Sequence, residues 1–224
     1  MKFVKFSQGD LLDERTTDRD LRNGICASLC DHWIRRIRSN PTESPEDRLA
    51  TLKRVDVFAD AMKYQQKYNA MRKTAGAVDS RKAMGQSLGL AIDADKTIVD
   101  MKIDDIGRIH TVDDMVRLIM RDIKGAMATA SWSLRFVGGG GHAIAGASIE
   151  VSMMKAMKVG QISASRPLAD QFTAKMPEVH IFDPNEGEFS GDAFEVTAMF
   201  TQLMRDYQVK HKMVVQEVRR YQMT

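Results

Sequence analysis

Residues 23–34 read NGICASLCDHWI, and this short segment sets the expectations for the rest of the chain. Apolar residues in and just after it recur at a spacing of three to four, which is the helical period: Ile25, Leu29, Trp33 and Ile37. We therefore predict a helix from Asn23 to Arg38, with Asn23 or Asp20 as its N-cap. Cys26 then lies in the first turn of that helix.

The composition is that of a globular protein. The chain has 224 residues, of which 43% are hydrophobic and 28% charged, so we expect a single domain over residues 1–224. The formal net charge of +3 is too close to balance to favour nucleic acid as a partner. No stretch approaches the roughly 18 apolar residues of a spanning helix, and residues 1–10 do not resemble a signal peptide. We expect neither an integral membrane segment nor export by the general secretory route.

The two cysteines, Cys26 and Cys30, lie in one short segment and cannot cross-link a fold. This usage favours a reducing compartment. Together with His32 they lack the Cys-x2-Cys spacing of a zinc site and a second ligand pair, so we expect no metal and no other cofactor. Cys26 is the better candidate nucleophile. Cys30 lies one turn further into the helix, on a stripe with Trp33 and Ile37 that should be buried.

Residues 44–125 are predicted to be mostly helical and to form an insertion between the Cys26 helix and the later strands. A helix starts at Ser44, because Asp47 three residues later gives a capping-box-like pattern and Pro45 suits the first helical position. It is expected to reach about Lys73. Glycines around Gly76 and at Gly85–Gly89 indicate a shorter, broken helix after it, and another helix is predicted to start at Thr111.

After Gly125 apolar and polar residues alternate, which is typical of strands with one face in a core. The predicted elements are strands at 131–136, 142–151 and 179–182, a helix from Asp192 to Tyr207, and a final strand within 209–221. Four glycines, Gly138–Gly141, separate the first two strands, and a turn at 183–187 follows the third. Helices first and strands later is the order of an α+β domain in which a helix packs on an antiparallel sheet.

Cys26, His142 and Asp183 are the candidate catalytic residues. A thiolate nucleophile needs a lowered pKa, and the first turn of a helix offers unpaired N–H groups and the positive end of the dipole. A histidine on a rigid strand can act as the base, and an acid group can fix its tautomer. His142 at a strand start and Asp183 at a strand end suit those two roles.

Each of these residues also has a plain structural interpretation. Taken alone, Cys26 is more often a small buried side chain, Asp183 begins a common turn motif, and the glycine run forms a flexible hairpin. The remaining histidines are interpreted as surface or packing residues: His32, His110, His180 and His211.

Three motifs, taken in order, resemble the YopT/AvrPphB cysteine proteases, bacterial effectors of the papain-like clan: NGICASLCDHWI at 23–34, GHAIA at 141–145 and FDPNEGEF at 182–189. The resemblance implies a papain-like α+β fold with the nucleophile at the N-terminus of a central helix packed on an antiparallel sheet. It implies Cys26 as nucleophile, His142 as general base and Asp183 as the group that orients the imidazole.

The chain departs from the family pattern at two points. The interval from His142 to Asp183 is longer than the family usually shows, so the region near 150–178 is expected to be an insertion or a different strand connection. The clan also supplies an oxyanion-binding amide a few residues before the cysteine. Asn23 is the one side-chain amide in residues 20–23, and it is therefore the expected oxyanion donor.

The leading hypothesis is a protease that cleaves proteins of a target cell. Such a protein stays in the bacterial cytoplasm until a specialised system secretes it into that cell. A Gln deamidase or transglutaminase would use the same three residues, so the sequence leaves that alternative open. A third hypothesis is a non-catalytic effector whose helical segment, 44–125, binds a host protein.

Overall fold

A computed structural model of the protein describes residues 1–22, 24–95, 107–125, 127–152, 175–210, 212 and 214–223. The strands in this part of the chain are β1 (Lys2–Lys5), β2 (Ile92–Asp95), β3 (Thr129–Phe136), β4 (Gly141–Ser152), β5 (Lys175–Asp183), β6 (Gly187–Gly191) and β7 (Val215–Met223). The helices are α1 (Gln8–Arg15), α2 (Arg19–Arg22), α3 (Cys26–Ser39), α4 (Pro45–Lys53), α5 (Val55–Ser87), α6 (Gly107–Asp122) and α7 (Ala193–Lys210).

The strands form a sheet in the order β1-β6-β5-β4-β3-β7-β2, and neighbouring strands run antiparallel. Helix α3 packs on one face of the sheet, mainly against β4. Helices α6 and α7 pack on the other face. Each face of the sheet therefore has its own apolar core, as the layer rule for α+β proteins requires.

Small residues on β4 let α3 lie close to the sheet. Side chains alternate along a strand, and the β4 residues in the α3 core are mostly small: Ala143, Ala145, Ala147, Ile149 and Val151. Leu29, Trp33 and Ile37 of α3 are fully buried in the same core. Large helix side chains thus meet small strand side chains, which brings the N-terminus of α3 near the first residues of β4.

Helix α3 begins at Cys26, three residues later than predicted. The N-cap position is Ile25, which within the described residues has no side-chain cap bond, and the expectation that Asp20 caps this helix is wrong because Asp20 lies in α2. Asn23 lies outside the described residues. The helix extends to Ser39, one residue beyond the predicted end.

The segment 44–125 is largely helical, but the bounds of its helices differ from the predicted ones. Ser44 caps α4 by accepting the Asp47 N–H at 3.1 Å, and Pro45 is the first helical residue, as predicted. A single helix from Ser44 to Lys73 is wrong, because the extended backbone of Arg54 separates α4 from α5. Helix α5 continues past a kink at Gly76 as far as Ser87, and α6 begins at Gly107 rather than at Thr111.

Short strands were missed. Strand β2 lies inside the segment predicted to be helical and pairs with the C-terminal strand β7. Strand β1 pairs with β6, which follows the turn after Asp183. The strands predicted at 131–136, 142–151 and 179–182 are present as β3, β4 and β5. Most of the insertion expected near 150–178 lies outside the described residues, which omit 153–174.

Candidate active site

Cys26 follows a constrained loop and begins α3. Gly24 has a φ of +108°, a conformation that L side chains rarely adopt. The Ile25 N–H donates to Gln8 Oε1 at 2.9 Å. The first intrahelical bond runs from the Leu29 N–H to the Ile25 carbonyl oxygen. The N–H of Cys26 therefore precedes the helical ladder and lies at the positive end of the helix dipole.

The ring of His142 meets this helix end from the sheet. His142 is the second residue of β4 and pairs with Leu134 of β3. Its Nε2 lies 2.9 Å from Asp183 Oδ1, and its ring is close enough to the Cys26 thiol to lower the pKa of that thiol. Because Nε2 faces the carboxylate, Nδ1 is the ring nitrogen left to face the thiol. The structure thus brings the three predicted residues together in the order thiol, imidazole, carboxylate.

Asp183 is fully buried at the end of β5, and several donors fix its carboxylate. The Asn185 N–H donates to Oδ1 at 2.8 Å, which is the Asx-type bond of the predicted turn. The Tyr207 hydroxyl lies 3.1 Å from each carboxylate oxygen. The His142 ring occupies the remaining side. A carboxylate held by this many donors has one orientation, and it imposes that orientation on the imidazole.

Electrostatics favour a thiolate and an imidazolium at this site. Burial raises the pKa of Cys26, but the hydrogen bond and charge of His142 and the N–H of Ala143 lower it by more, so the net shift of the pKa is downward. Burial lowers the pKa of His142, but Asp183 and then Cys26 raise it to about 10. A deprotonated thiol beside a protonated imidazole is an activated nucleophile.

Cys30 has the opposite environment. It is fully buried among the core side chains of α3, whereas Cys26 is partly exposed. Burial, reinforced by the negative charge of neighbouring groups, raises the pKa of the Cys30 thiol well above its ordinary value. The geometry therefore favours Cys26 as the reactive thiol and Cys30 as a packing residue.

A buried ion pair lies beside the Cys26 helix. Arg81 of α5 donates to Asp31 Oδ1 at 2.6 Å, and the Tyr64 hydroxyl donates to Asp31 Oδ2 at 2.9 Å. The same guanidinium donates to the Ser131 hydroxyl on β3 at 3.1 Å. Its positive charge contributes to the lowered pKa of Cys26. The segment 44–125 thus supplies a charge that lowers the pKa of the Cys26 thiol.

Sequence reasoning missed five residues of the site and its surroundings: Gln8, Asp31, Arg81, Asn185 and Tyr207. Asn185 carried a signal, since it belongs to the turn motif at 183–187. The others contact the site through pairings between distant parts of the chain, which no local pattern reports. Asn23, the predicted oxyanion donor, lies outside the described residues.

In the described part of the chain, no helix is both long and apolar enough to cross a membrane. Over the same residues, no three His, Cys, Asp or Glu side chains cluster as metal ligands would. A cavity of about 270 Å³ between α3, α4 and α5 is lined by His32, Arg36 and Thr51 among others, and Cys26 and His142 do not line it.

Comparison with known proteins adds two matches. The family model described as Yersinia/Haemophilus virulence surface antigen, Peptidase_C58, matches residues 5–154. The crystal structure of the Pseudomonas avirulence protein AvrPphB is similar to this chain, with a TM-score of 0.63 and 18% sequence identity over 96% of this chain and 99% of that chain. No curated protein sequence matches. The structural similarity confirms the papain-like α+β fold.

The family match covers more than half of the 224 residues and includes Cys26 and His142. It confirms the resemblance read from the three motifs. Membership supports a cysteine protease effector, and it implies protein substrates. The chain therefore belongs to the Peptidase_C58 family, the YopT/AvrPphB family of cysteine protease effectors.

Proposed function

We propose that the protein is a cysteine protease in which Cys26 is the nucleophile, His142 the general base and acid, and Asp183 the residue that orients the imidazole. The observation that carries the proposal is the position of the His142 ring, whose Nε2 lies 2.9 Å from Asp183 Oδ1 and which is close enough to the Cys26 thiol to lower its pKa. Two further facts support it: the thiol lies at a helix N-terminus, and its pKa is lowered.

The proposed reaction is acyl transfer. The Cys26 thiolate attacks the carbonyl carbon of a peptide bond, and the C=O electron pair moves onto the oxygen. The tetrahedral intermediate collapses as the C–N bond breaks, and the His142 imidazolium gives its proton to the leaving amine. Water then attacks the thioester while His142 takes one of its protons. The C–S bond breaks, releasing the carboxylic acid and the thiolate.

Stabilisation of the oxyanion is proposed to come from two donors. The backbone N–H of Cys26 is one, because it precedes the first hydrogen bond of the helix. The side-chain amide of Asn23 is the other. The turn at Gly138–Gly140, close in sequence to His142, has positive φ angles throughout. Without side chains there, a substrate backbone can pass near the imidazole.

The substrate is proposed to be a protein of a host cell. The protein would remain in the bacterial cytoplasm until a specialised secretion system delivers it. The catalytic domain is proposed to span residues 1–224, with the segment 44–125 inserted between the Cys26 helix and the strands that carry His142 and Asp183.

The test is mass spectrometry of protein termini in a host-cell lysate treated with the wild type or with Cys26→Ala. We expect new termini with the wild type and none with Cys26→Ala. Cys30→Ala is the matched control: because that thiol is buried and inactive, this variant should still cleave.

Two other results would overturn the proposal. Glutamines that acquire the mass shift of deamidation or become cross-linked, without new termini, would assign the same three residues to a deamidase or transglutaminase. An unchanged lysate, together with a Cys26 thiol that reacts no faster than a free cysteine, would favour a non-catalytic effector.

A further inference from the structure

Gln8 joins the loop that precedes the cysteine to the loop that follows the acid. It is the first residue of α1 and is 5% exposed. Its Oε1 accepts the N–H of Ile25, the residue before Cys26, at 2.9 Å. Its Nε2 donates to Asn185 Oδ1 at 2.7 Å, two residues after Asp183. One buried amide thus contacts both loops of the proposed site.

These two bonds close a ring. Asn185 Nδ2 donates to the Tyr207 hydroxyl at 3.3 Å, and that hydroxyl lies 3.1 Å from both oxygens of Asp183. From the carboxylate the contacts continue through the imidazole to the thiol. The peptide unit before the thiol returns to Gln8. Each reacting group is therefore constrained from two directions.

Backbone hydrogen bonds also join the Gln8 segment to the loop that follows Asp183. The Gln8 N–H donates to the Pro184 carbonyl oxygen at 2.8 Å, and the Phe6 N–H donates to the Glu186 carbonyl oxygen at 2.9 Å. The backbone of Gln8 is thus fixed to the acid loop, while its side chain extends to the nucleophile loop. Neither loop can shift without leaving a buried polar group unpaired, which costs free energy.

We propose that Gln8 is a positioning residue that sets the distance between the Cys26 thiol and the His142–Asp183 pair. This inference rests on the proposed function. Gln8 acts through the peptide unit that precedes the nucleophile, and no contact with substrate is required of it. A fixed thiol–imidazole contact favours the thiolate. Breaking this closed set of hydrogen bonds should therefore raise the pKa of the Cys26 thiol toward that of a free cysteine.

The test compares Gln8→Met with a matched control, Gln65→Met. Gln65 is also a buried glutamine that accepts a backbone N–H at this helix end, from Ser28 at 3.2 Å, but its Nε2 donates to Asn69. The measurement is the rate of Cys26 alkylation by iodoacetamide as a function of pH. We expect the midpoint of this pH profile to rise by about 0.5–1 pH unit in Gln8→Met and to stay unchanged in Gln65→Met.

A second variant tests the same link from its other end. Asn185 is exposed, so Asn185→Leu should fold even where Gln8→Met does not. We expect Asn185→Leu to raise the midpoint as well, and the double variant to raise it by less than the sum of the two single shifts, because both changes remove the Gln8–Asn185 bond. Additive shifts, or an unmoved midpoint in either folded single variant, would overturn the role of Gln8.

The wild type separates this inference from the proposal on which it rests. If wild-type Cys26 ionises like a free thiol, the proposed function itself is contradicted. If the wild-type midpoint is low and the variants do not move it, the proposed function stands and Gln8 has no positioning role.

Discussion

At the scale of single residues, the feature that matters most is the position of one proton. The fully buried Asp183 holds the His142 ring from one side, and the Cys26 thiol meets the ring from the other. The helix N-terminus and the nearby guanidinium of Arg81 both favour negative charge on the sulfur. The proton is therefore expected to favour the imidazole over the sulfur.

A pH titration of the imidazole resonances by NMR checks this placement. We expect His142 to titrate at about 10, because Asp183 outweighs the effect of burial. His32 should titrate at about 4, since burial and then the charge of Arg35 disfavour its protonation. His142→Gln and His32→Gln assign the two signals. A His142 signal that changes near the ordinary histidine pKa of about 6.5 would contradict the account.

The same shift makes folding depend on pH. The folded pKa of His142 lies above the unfolded value, so its protonation stabilises the native state fully below about pH 6.5. That contribution is lost as the pH rises through about 10. In denaturant unfolding, the gap in stability between the wild type and His142→Gln should therefore narrow over this range. A stability gap that widens as the pH rises would contradict a raised pKa of His142 in the folded state.

At the scale of elements, the turn after Asp183 decides where the N-terminal strand lies. Gly187 has a φ of +141°, and a Cβ there would lie 2.1 Å from the Val4 carbonyl oxygen. Gly187→Ala should therefore push β1 away from β6 and lower the free energy of unfolding by about 1–3 kcal/mol. Denaturant unfolding measures the change.

Gly89→Ala is the control for that variant. Gly89 also has a positive φ, +72°, but among the described residues no heavy atom lies within 4 Å of a Cβ built there. Gly89→Ala therefore adds backbone strain without a collision, and its effect should be smaller. Equal losses in the two variants would show that the close approach of Val4 is unimportant.

Long periodic elements could be predicted from the sequence, and short ones could not. Helix α3 has apolar residues at the helical spacing over several turns, and β3 alternates apolar and polar residues several times. Both patterns are long enough to be distinct from chance. Strands β1 and β2 have 4 residues each and β6 has 5, which places only two or three side chains on each face. Their pairing with distant strands, rather than a local pattern, makes them strands.

At the scale of the whole molecule, a buried group of charges ties four elements together. Glu188 of β6 accepts hydrogen bonds from Trp33 Nε1 at 2.8 Å and from Arg48, and it contacts His180 Nδ1 at 2.8 Å. Glu188 and Arg48 are fully buried. A buried pair of this kind is costly to break, because the remaining charge has lost its partner.

Glu188→Gln should therefore lower the free energy of unfolding by about 3–5 kcal/mol, because it leaves Arg48 buried without its counter-charge. Asp114→Asn is the control, since that carboxylate pairs with Arg117 at the exposed surface and should have little effect. Thermal or denaturant unfolding measures both. A loss in Glu188→Gln as small as that in the control would contradict the structural role of the buried group.

The pH dependence of this group has the opposite sign to that of His142. Burial raises the pKa of Glu188, but His180 and Arg48 lower it by more, so the net pKa lies below its ordinary value. Its contribution to stability is present above the unfolded pKa and is lost as the pH falls through the lower folded pKa. The stability gap between the wild type and Glu188→Gln should therefore narrow in acid.

The catalytic candidates could be nominated from the sequence because each needs a recognisable chemistry at a recognisable place. A thiol at a helix start, a histidine at a strand start and an acid in a turn all have local signatures. The groups that hold them have none. Gln8 reaches Asn185 across 177 residues, and Arg48 reaches Glu188 across 140. Only the folded chain brings such partners together.

The most direct measurement of the central claim is the site of alkylation by limiting iodoacetamide at about pH 6, below the pKa of an ordinary thiol. Fragmentation of the tryptic peptide 23–35 distinguishes Cys26 from Cys30. The account predicts label on Cys26 and none on Cys30, with the rate reduced about tenfold or more in His142→Ala. Label on Cys30, or a Cys26 rate that does not depend on His142, would contradict it.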